Sequence, residues 1–135
     1  MFELDEAFIA TSAALGDLPL SHVRLQDDAR YPWIVLIPRR AGARELEDLD
    51  REDLAALTDE ILAAGRAVRA LGMSVDKLNV GALGNVTPQL HVHVVGRHVA
   101  DPAWPGPVWG HSPALPYTPA DLETVTAAAR AALGL

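Results

Sequence analysis

The sequence predicts a single α+β domain over residues 1–135, with a mainly antiparallel sheet and a long helix packed on it. The chain has 135 residues, of which 50% are hydrophobic and 21% charged, and this suits one globular domain with a sizeable core. Four short segments rich in Val, Ile and Leu are separated by turn signals and helical patterns. The first two segments are close enough to form a hairpin, so antiparallel pairing is favoured.

The predicted strands cover residues 20–25, 33–37, 77–83 and 90–95. Residues 33–37 are apolar throughout, which is typical of a central strand covered on both faces. Pro38 ends this strand because proline has no backbone N–H to donate to a neighbouring strand.

The clearest helix begins after Asp50, whose carboxylate can cap the first turn while Leu49 and Leu54 pack together as a hydrophobic staple. Its apolar residues recur with helical spacing up to Gly72, which ends the helix: Leu54, Leu57, Ile61, Ala64, Val68 and Leu71. The sequence therefore predicts a helix that packs one face on the sheet.

Two further helices are predicted nearer the ends of the chain. A weaker helical pattern covers about residues 4–15. An Ala-rich helix begins at Thr118, which serves as its cap, with Pro119 in the first turn.

Composition excludes several classes of function. The chain has no cysteine, so it forms no disulfide and no thiolate metal site. A net charge of -7 opposes binding to a long nucleic acid, whereas a single small phosphate ester is compatible with it. No apolar stretch approaches the ~18 residues of a membrane span, and the N-terminus is acidic where a signal peptide is basic. We expect a cytoplasmic protein with no membrane partner.

Residues 84–97 (GNVTPQLHVHVVGR) carry most of the chemical information. In a strand, side chains two positions apart share a face at ~6.6 Å spacing. Gln89, His91 and His93 would therefore share one face, opposite an apolar row of core residues. They follow a Gly-containing loop whose backbone N–H groups could face an anion. An imidazole with a free ring lone pair is a competent nucleophile toward phosphorus, so this row is a candidate site of phosphate chemistry.

Two other interpretations of the histidines are open at this point. His91 and His93 could decorate a solvated strand face. They could also form a metal site together with one of the chain's other histidines: His22, His98 or His111. No acidic or cysteine partner lies at a recognisable spacing, which weakens the metal interpretation.

The wider pattern resembles the histidine triad family of nucleotidyl hydrolases and transferases. That family's signature is His-x-His-x-His followed by two apolar residues, and this chain has Gln89-x-His91-x-His93 followed by two valines. Asn-Val-Gly at 79–81 stands where the family has an Asn-containing strand end, residues 33–38 resemble the strand before the long helix, and Trp-Pro-Gly at 104–106 resembles a segment after the motif. The resemblance covers about residues 18–110 and leaves 111–135 as a C-terminal tail and helix.

The resemblance implies a HIT-like fold with a five-stranded sheet, a homodimer, and action at the α-phosphate of a small nucleotide with no cofactor and no bound metal. It implies that His91 is the nucleophile, which carries a nucleotidyl group, and that His93 holds the phosphate oxygens. Trp104 and Trp109 are candidates for the dimer interface or the partner's site, or they pack the tail on its own domain.

The resemblance also implies the residues that bind the nucleotide. Gly84, Asn85 and Asn79 would cradle the α-phosphate, with Val86 at the loop position where many members carry a serine hydroxyl. Asp27 or Asp28 would receive the ribose hydroxyls. For these two aspartates, ordinary turn chemistry is an equally good explanation.

Gln89 is the main departure from the family pattern. Its backbone carbonyl can still orient His91, as the carbonyl at this position does in the family. Its amide cannot act as a general acid, and losing such a group typically costs about 10²- to 10⁴-fold in rate. Trp33 also stands where several members have a histidine near the leaving group. The sequence therefore predicts a slow hydrolase, a hydrolase whose leaving group departs without a proton, or a nucleotide-binding protein without turnover.

Overall fold

The computed structural model describes residues 1–135. In chain order its elements are α1 (Glu6–Thr11), β1 (Ser12–Asp17), β2 (Ser21–Gln26), β3 (Trp33–Pro38), a short 3-10 helix (Leu46–Asp48), α2 (Arg51–Arg69), β4 (Lys77–Gly81), β5 (Val92–Arg97) and α3 (Pro119–Leu133). None of the helices combines the length and the apolar character that a membrane span requires.

The five strands form one antiparallel sheet in the order β1-β2-β3-β5-β4. This confirms the predicted α+β fold and the hairpin between β2 and β3. β5 lies between β3 and β4, so His93 faces Val35 on one side and Gly81 on the other. Every residue of β3 is buried, as its apolar composition predicts.

Both faces of the sheet are covered. One face packs against α2 and α3 and forms the larger core: Leu15, Leu20, Val23, Leu25, Ile34, Leu36, Ala43, Leu49, Leu57, Ala64, Ala67, Val68, Leu90, Val92, Val94 and Ala129. The other face carries a second cluster, built with residues of α1 and of the segment 101–109: Phe8, Tyr31, Trp33, Val35, Ile37, Val95, Ala103 and Val108. His91 and His93 lie on this second face.

The helix predicted over residues 4–15 is wrong in its second half. α1 ends at Thr11 and β1 begins at Ser12. β1 pairs with β2 from Ser12 opposite Gln26 to Asp17 opposite His22, and Leu15 is fully buried. Pairing with a neighbouring strand therefore overrides a local pattern that favours a helix.

The long helix α2 begins after Asp50, whose side chain accepts a hydrogen bond from the Asp53 amide at 2.8 Å. It is further fixed by Glu60, which is only 5% exposed and which the sequence analysis did not single out. The Glu60 carboxylate accepts hydrogen bonds from the backbone N–H groups of Leu20 (2.8 Å) and Ser21 (3.0 Å). A buried charge of this kind needs such partners, and here it attaches the helix to the start of β2.

We expect Glu60→Ala to lower the free energy of unfolding by about 2–4 kcal/mol, because it removes two charge-assisted hydrogen bonds and leaves two buried amides without a partner. Urea unfolding measures this. The matched control is Asp59→Ala on the exposed side of the same turn, which should leave stability nearly unchanged. Equal effects of the two substitutions would contradict this role for Glu60.

Candidate active site

His91 lies between the 82–90 loop and β5, and only 7% of it is exposed. Its Nδ1 atom is 2.7 Å from the backbone oxygen of Gln89. A carbonyl oxygen can only accept, so Nδ1 carries the proton and donates it. In the neutral ring, Nε2 is then left with a free lone pair, which is the form that a nucleophile requires.

His93 is in the opposite tautomer. The Trp33 indole N–H, which can only donate, lies 3.0 Å from Nδ1 of His93, so this nitrogen accepts and the neutral ring carries its proton on Nε2. Burial, followed by the neighbouring charge of His91, lowers the pKa of His93 to about 3. His93 is therefore a neutral hydrogen-bond donor, and its ring centroid is 4.8 Å from that of His91.

Aromatic rings cover both imidazoles. The Phe8 ring of α1 lies 4.8 Å from the His91 ring at an interplanar angle of 70°. The Trp109 ring lies 5.4 Å from that of His93. The interpretation of the histidines as residues on a solvated face is therefore wrong, and Trp109 packs on its own domain beside the candidate site.

The loop before the histidines contains a glycine in the left-handed region of backbone conformation. Gly84 has a φ of +91°, a backbone conformation that residues other than glycine rarely adopt. Val86 at the tip of the loop is 94% exposed. A cavity of about 280 Å³, here called the loop cavity, is lined by Leu83, Gly84, Asn85, Val86, Thr87, His91, His93 and Trp109.

Two other cavities meet at His91. The α1 cavity, of about 300 Å³, is lined by Ala7, Phe8, Thr11, Gln26, Val35, Val86, Thr87, His91 and His93. An outer cavity of about 380 Å³ is lined by residues 44–47, Ala82, Leu83, Leu90 and His91. His91 alone lines all three, which places its ring where separate parts of a substrate can meet.

The structure brings together five of the residues singled out in the sequence: Gly84, Asn85, Val86, His91 and His93 all line the loop cavity. The sequence analysis missed Phe8, Thr11, Gln26 and Thr87, which line the α1 cavity. Phe8 belongs to a short helix whose place over the sheet no local pattern reveals.

Asn79 lies on the same face but lines none of the three cavities. Its Oδ1 atom accepts a hydrogen bond of 2.8 Å from the guanidinium of Arg97, which is 1% exposed and paired with Asp101 at 2.7 Å. Asp101 in turn accepts hydrogen bonds from the backbone N–H groups of Ala103 and Trp104. This network fixes the segment that carries Trp109 over His93.

Asp27 and Asp28 also line none of the three cavities. Asp28 makes the local hydrogen bonds of a turn with Arg30, whereas Asp27 bonds to a distant part of the chain. Oδ1 of Asp27 accepts from the backbone N–H of Tyr117 at 2.9 Å. Asp28 is 3% exposed and binds the Arg30 guanidinium through both carboxylate oxygens, each at 2.9 Å. Burial, together with Asp28 and Asp27, raises the pKa of the nearby Tyr117 to about 12.

The side chain of Gln89 points to the N-terminal segment and lines none of the three cavities. Its Oε1 accepts from the Asp5 amide and its Nε2 donates to the Glu3 carbonyl, both at 2.8 Å. Both ends of the amide thus bond to the N-terminal segment and not to a group of the candidate site.

The metal interpretation finds no support in the arrangement of the side chains. No three His, Asp or Glu side chains come together as a ligand group. His22 is bonded to Asp17 at 2.7 Å and to Arg24 at 3.2 Å, and His111 contacts Ser112.

We expect the free energy of unfolding to fall as the pH drops from about 6.5 toward 3, because the unfolded chain binds a proton on His93 that the folded protein excludes. The contribution of one such group has a slope of at most ~1.4 kcal/mol per pH unit. Urea unfolding at a series of pH values measures it. His93→Gln is the control, because its amide can still accept from Trp33 and does not titrate. Identical slopes in the two proteins would show that His93 is not held neutral by the fold.

Comparisons with known proteins agree on one family. The family model of the HIT domain matches residues 8–100. No curated protein matches the chain.

Solved structures of histidine triad proteins match over almost the whole chain. The protein of Marinobacter aquaeolei VT8 is 42% identical with a TM-score of 0.94, covering 99% of this chain and 97% of its own. That of Bradyrhizobium japonicum is 41% identical with a TM-score of 0.92, covering 98% of each chain. That of Sinorhizobium meliloti is 40% identical with a TM-score of 0.91, covering 96% of this chain and 95% of its own.

Proposed function

The chain belongs to the histidine triad (HIT) family, and we propose that it hydrolyses or transfers a nucleotidyl group at the α-phosphate of a small nucleotide, through a covalent intermediate on His91. The observation that carries the proposal is the pair of opposite tautomers. Nε2 of His91 has a free lone pair because Nδ1 donates to Gln89, and His93 carries its proton on Nε2 because Nδ1 accepts from Trp33. A nucleophile thus stands beside a neutral donor for a phosphate oxygen.

The first proposed step forms a P–N bond between Nε2 of His91 and the α-phosphorus. The P–O bond to the leaving group breaks, and the leaving group takes the bonding electrons. The ring gains positive charge, which the hydrogen bond from Nδ1 to Gln89 stabilises. In hydrolysis, water attacks the phosphorus, the P–N bond breaks, the lone pair returns to Nε2 and the proton of the water passes to solvent. The proposed step takes its nucleophile and its phosphate contacts from the chain.

The three cavities suggest how the nucleotide is held. We assign the α-phosphate to the loop cavity, which is lined by Gly84, Asn85 and the two histidines. We assign the nucleoside to the α1 cavity, beside Gln26. Oδ2 of Asp27, the next residue, makes no hydrogen bond within the chain and is proposed to receive a ribose hydroxyl, whereas Asp28 is occupied by Arg30.

We expect His91→Ala to abolish both turnover and the covalent adduct, because no other group offers a free lone pair at that position. Mass spectrometry of protein quenched with a nucleotide substrate detects the adduct on the His91 peptide. His93→Ala should keep the adduct but form it more slowly and bind phosphate less tightly, because its role is electrostatic. Wild-type turnover in the His91 variant would end the assignment.

Gln89 leads to a second prediction, on the leaving group. With its amide bonded to Glu3 and Asp5, it supplies no proton to a departing group. We expect phosphate and sulfate leaving groups to react faster than alkoxides or amines by much of the about 10²- to 10⁴-fold that a general acid typically contributes. Steady-state rates across such a series of nucleotide esters measure it. A flat dependence would show that protonation does not limit the reaction.

A nucleotide-binding protein without turnover is the second candidate function. The same engagement of Gln89 favours it, because the site has the pocket and the donor but no acid at the position of the first motif histidine. Saturable binding of a nucleotide without any adduct on His91 would support this candidate against the first.

We also propose that the protein is a homodimer. β4 is an edge strand of the sheet, and Val80 on it and Leu83 just after it are 49% and 45% exposed. An apolar strand edge is commonly covered by a second copy. We expect sedimentation at micromolar concentration to give twice the mass of one chain, and a mass near 14.4 kDa would contradict the dimer.

A further inference from the structure

The side chain of Gln89 joins the first residues of the chain to the segment that carries His91 and His93. Its two hydrogen bonds, to the Asp5 amide and the Glu3 carbonyl, both involve backbone atoms. They link positions 84 and 86 residues apart in sequence. A carboxamide suits this arrangement because one end accepts while the other donates.

The segment held in this way is the one that covers His91. Asp5 caps α1 by accepting a hydrogen bond from the Ala7 amide at 2.9 Å. α1 has only six residues, and a helix of this length has little stability unless its surroundings hold it. It carries Phe8, which is 7% exposed and packs against the His91 ring, and it lines the α1 cavity through Ala7, Phe8 and Thr11.

We propose that Gln89 is a positioning residue. Its side chain holds residues 3–11 so that Phe8 fixes the His91 ring and α1 forms the wall of the nucleoside cavity. One residue thus orients the nucleophile twice, directly through its carbonyl and indirectly through its side chain. The link to substrate binding rests on the function proposed above, since it assigns the nucleoside to the α1 cavity.

The test compares two substitutions at position 89 with a matched control. Gln89→Met removes both hydrogen bonds at similar length. Gln89→Glu keeps the acceptor for the Asp5 amide and places a second acceptor against the Glu3 carbonyl. Glu3→Ala is the control, because the hydrogen bond is made to the backbone of residue 3 and the exposed side chain takes no part. The readouts are hydrogen exchange of the α1 amides, the ring-proton resonances of His91, and kcat and KM.

We expect Gln89→Met to speed exchange of the α1 amides about tenfold, as the loss of one or two hydrogen bonds implies, with Gln89→Glu intermediate. The His91 resonances should move as the Phe8 ring shifts, and KM should rise about tenfold while kcat changes less than about threefold. Glu3→Ala should match the wild type. Unchanged α1 exchange in the Met variant would overturn the proposal, and so would faster exchange without a change in the His91 resonances.

Phe8→Leu tests the second half of the link without touching the hydrogen bonds. It should raise KM and move the His91 resonances while α1 keeps its protection, and an unchanged KM would overturn the proposed coupling. This variant also decides the question if the substitutions at position 89 prevent folding. If the wild type neither turns over nor forms an adduct with any nucleotide, the proposed function fails, and exchange and resonances still decide the positioning role.

Discussion

The chemistry of this site depends on the direction of one hydrogen bond, that from Nδ1 of His91 to the backbone oxygen of Gln89. A carbonyl cannot donate, so the bond fixes the tautomer of His91 whatever side chain stands at position 89. The bond from Trp33 to His93 works in the reverse sense, because an indole cannot accept. Two adjacent imidazole rings therefore both leave Nε2 without a partner in the chain, but this atom carries a lone pair on His91 and a proton on His93.

The rest of the fold covers these two rings and fixes them. β5 lies inside the sheet, with α2 on one face and α1 and the segment 101–109 on the other. The Arg97–Asp101 pair is almost fully buried and holds the end of β5 to that segment, so that Trp109 covers His93. Burial strengthens the hydrogen bonds that a buried ring makes. It also disfavours the charged form of His93, so the folded protein is expected to lose stability in acid.

The sequence was sufficient for features set by local spacing. Alternation predicted that His91 and His93 share a face, and the 3.6-residue period predicted α2. It was insufficient where partners come from distant parts of the chain. β1 is a strand because it pairs with β2, Asp27 is engaged by Tyr117 90 positions away, and Asn79 by Arg97 18 positions away. The burial of Glu60 could not be predicted because a single Glu on a helix is ordinarily exposed, and only the fold places it against the backbone of Leu20 and Ser21.

The backbone and the side chain of Gln89, the first motif position, have separate roles. The tautomer of the nucleophile needs only the carbonyl, so it survives any substitution that keeps the backbone in place. The side chain is then free for another task, and here it bonds two backbone groups near the N-terminus. An acid at this position would have to face the leaving group, whereas a tether has to face α1, and one side chain cannot do both. The hydrogen bonds of Gln89 to Glu3 and Asp5 are therefore incompatible with proton delivery from its side chain, and the reaction proposed above needs a leaving group that departs as a stable anion.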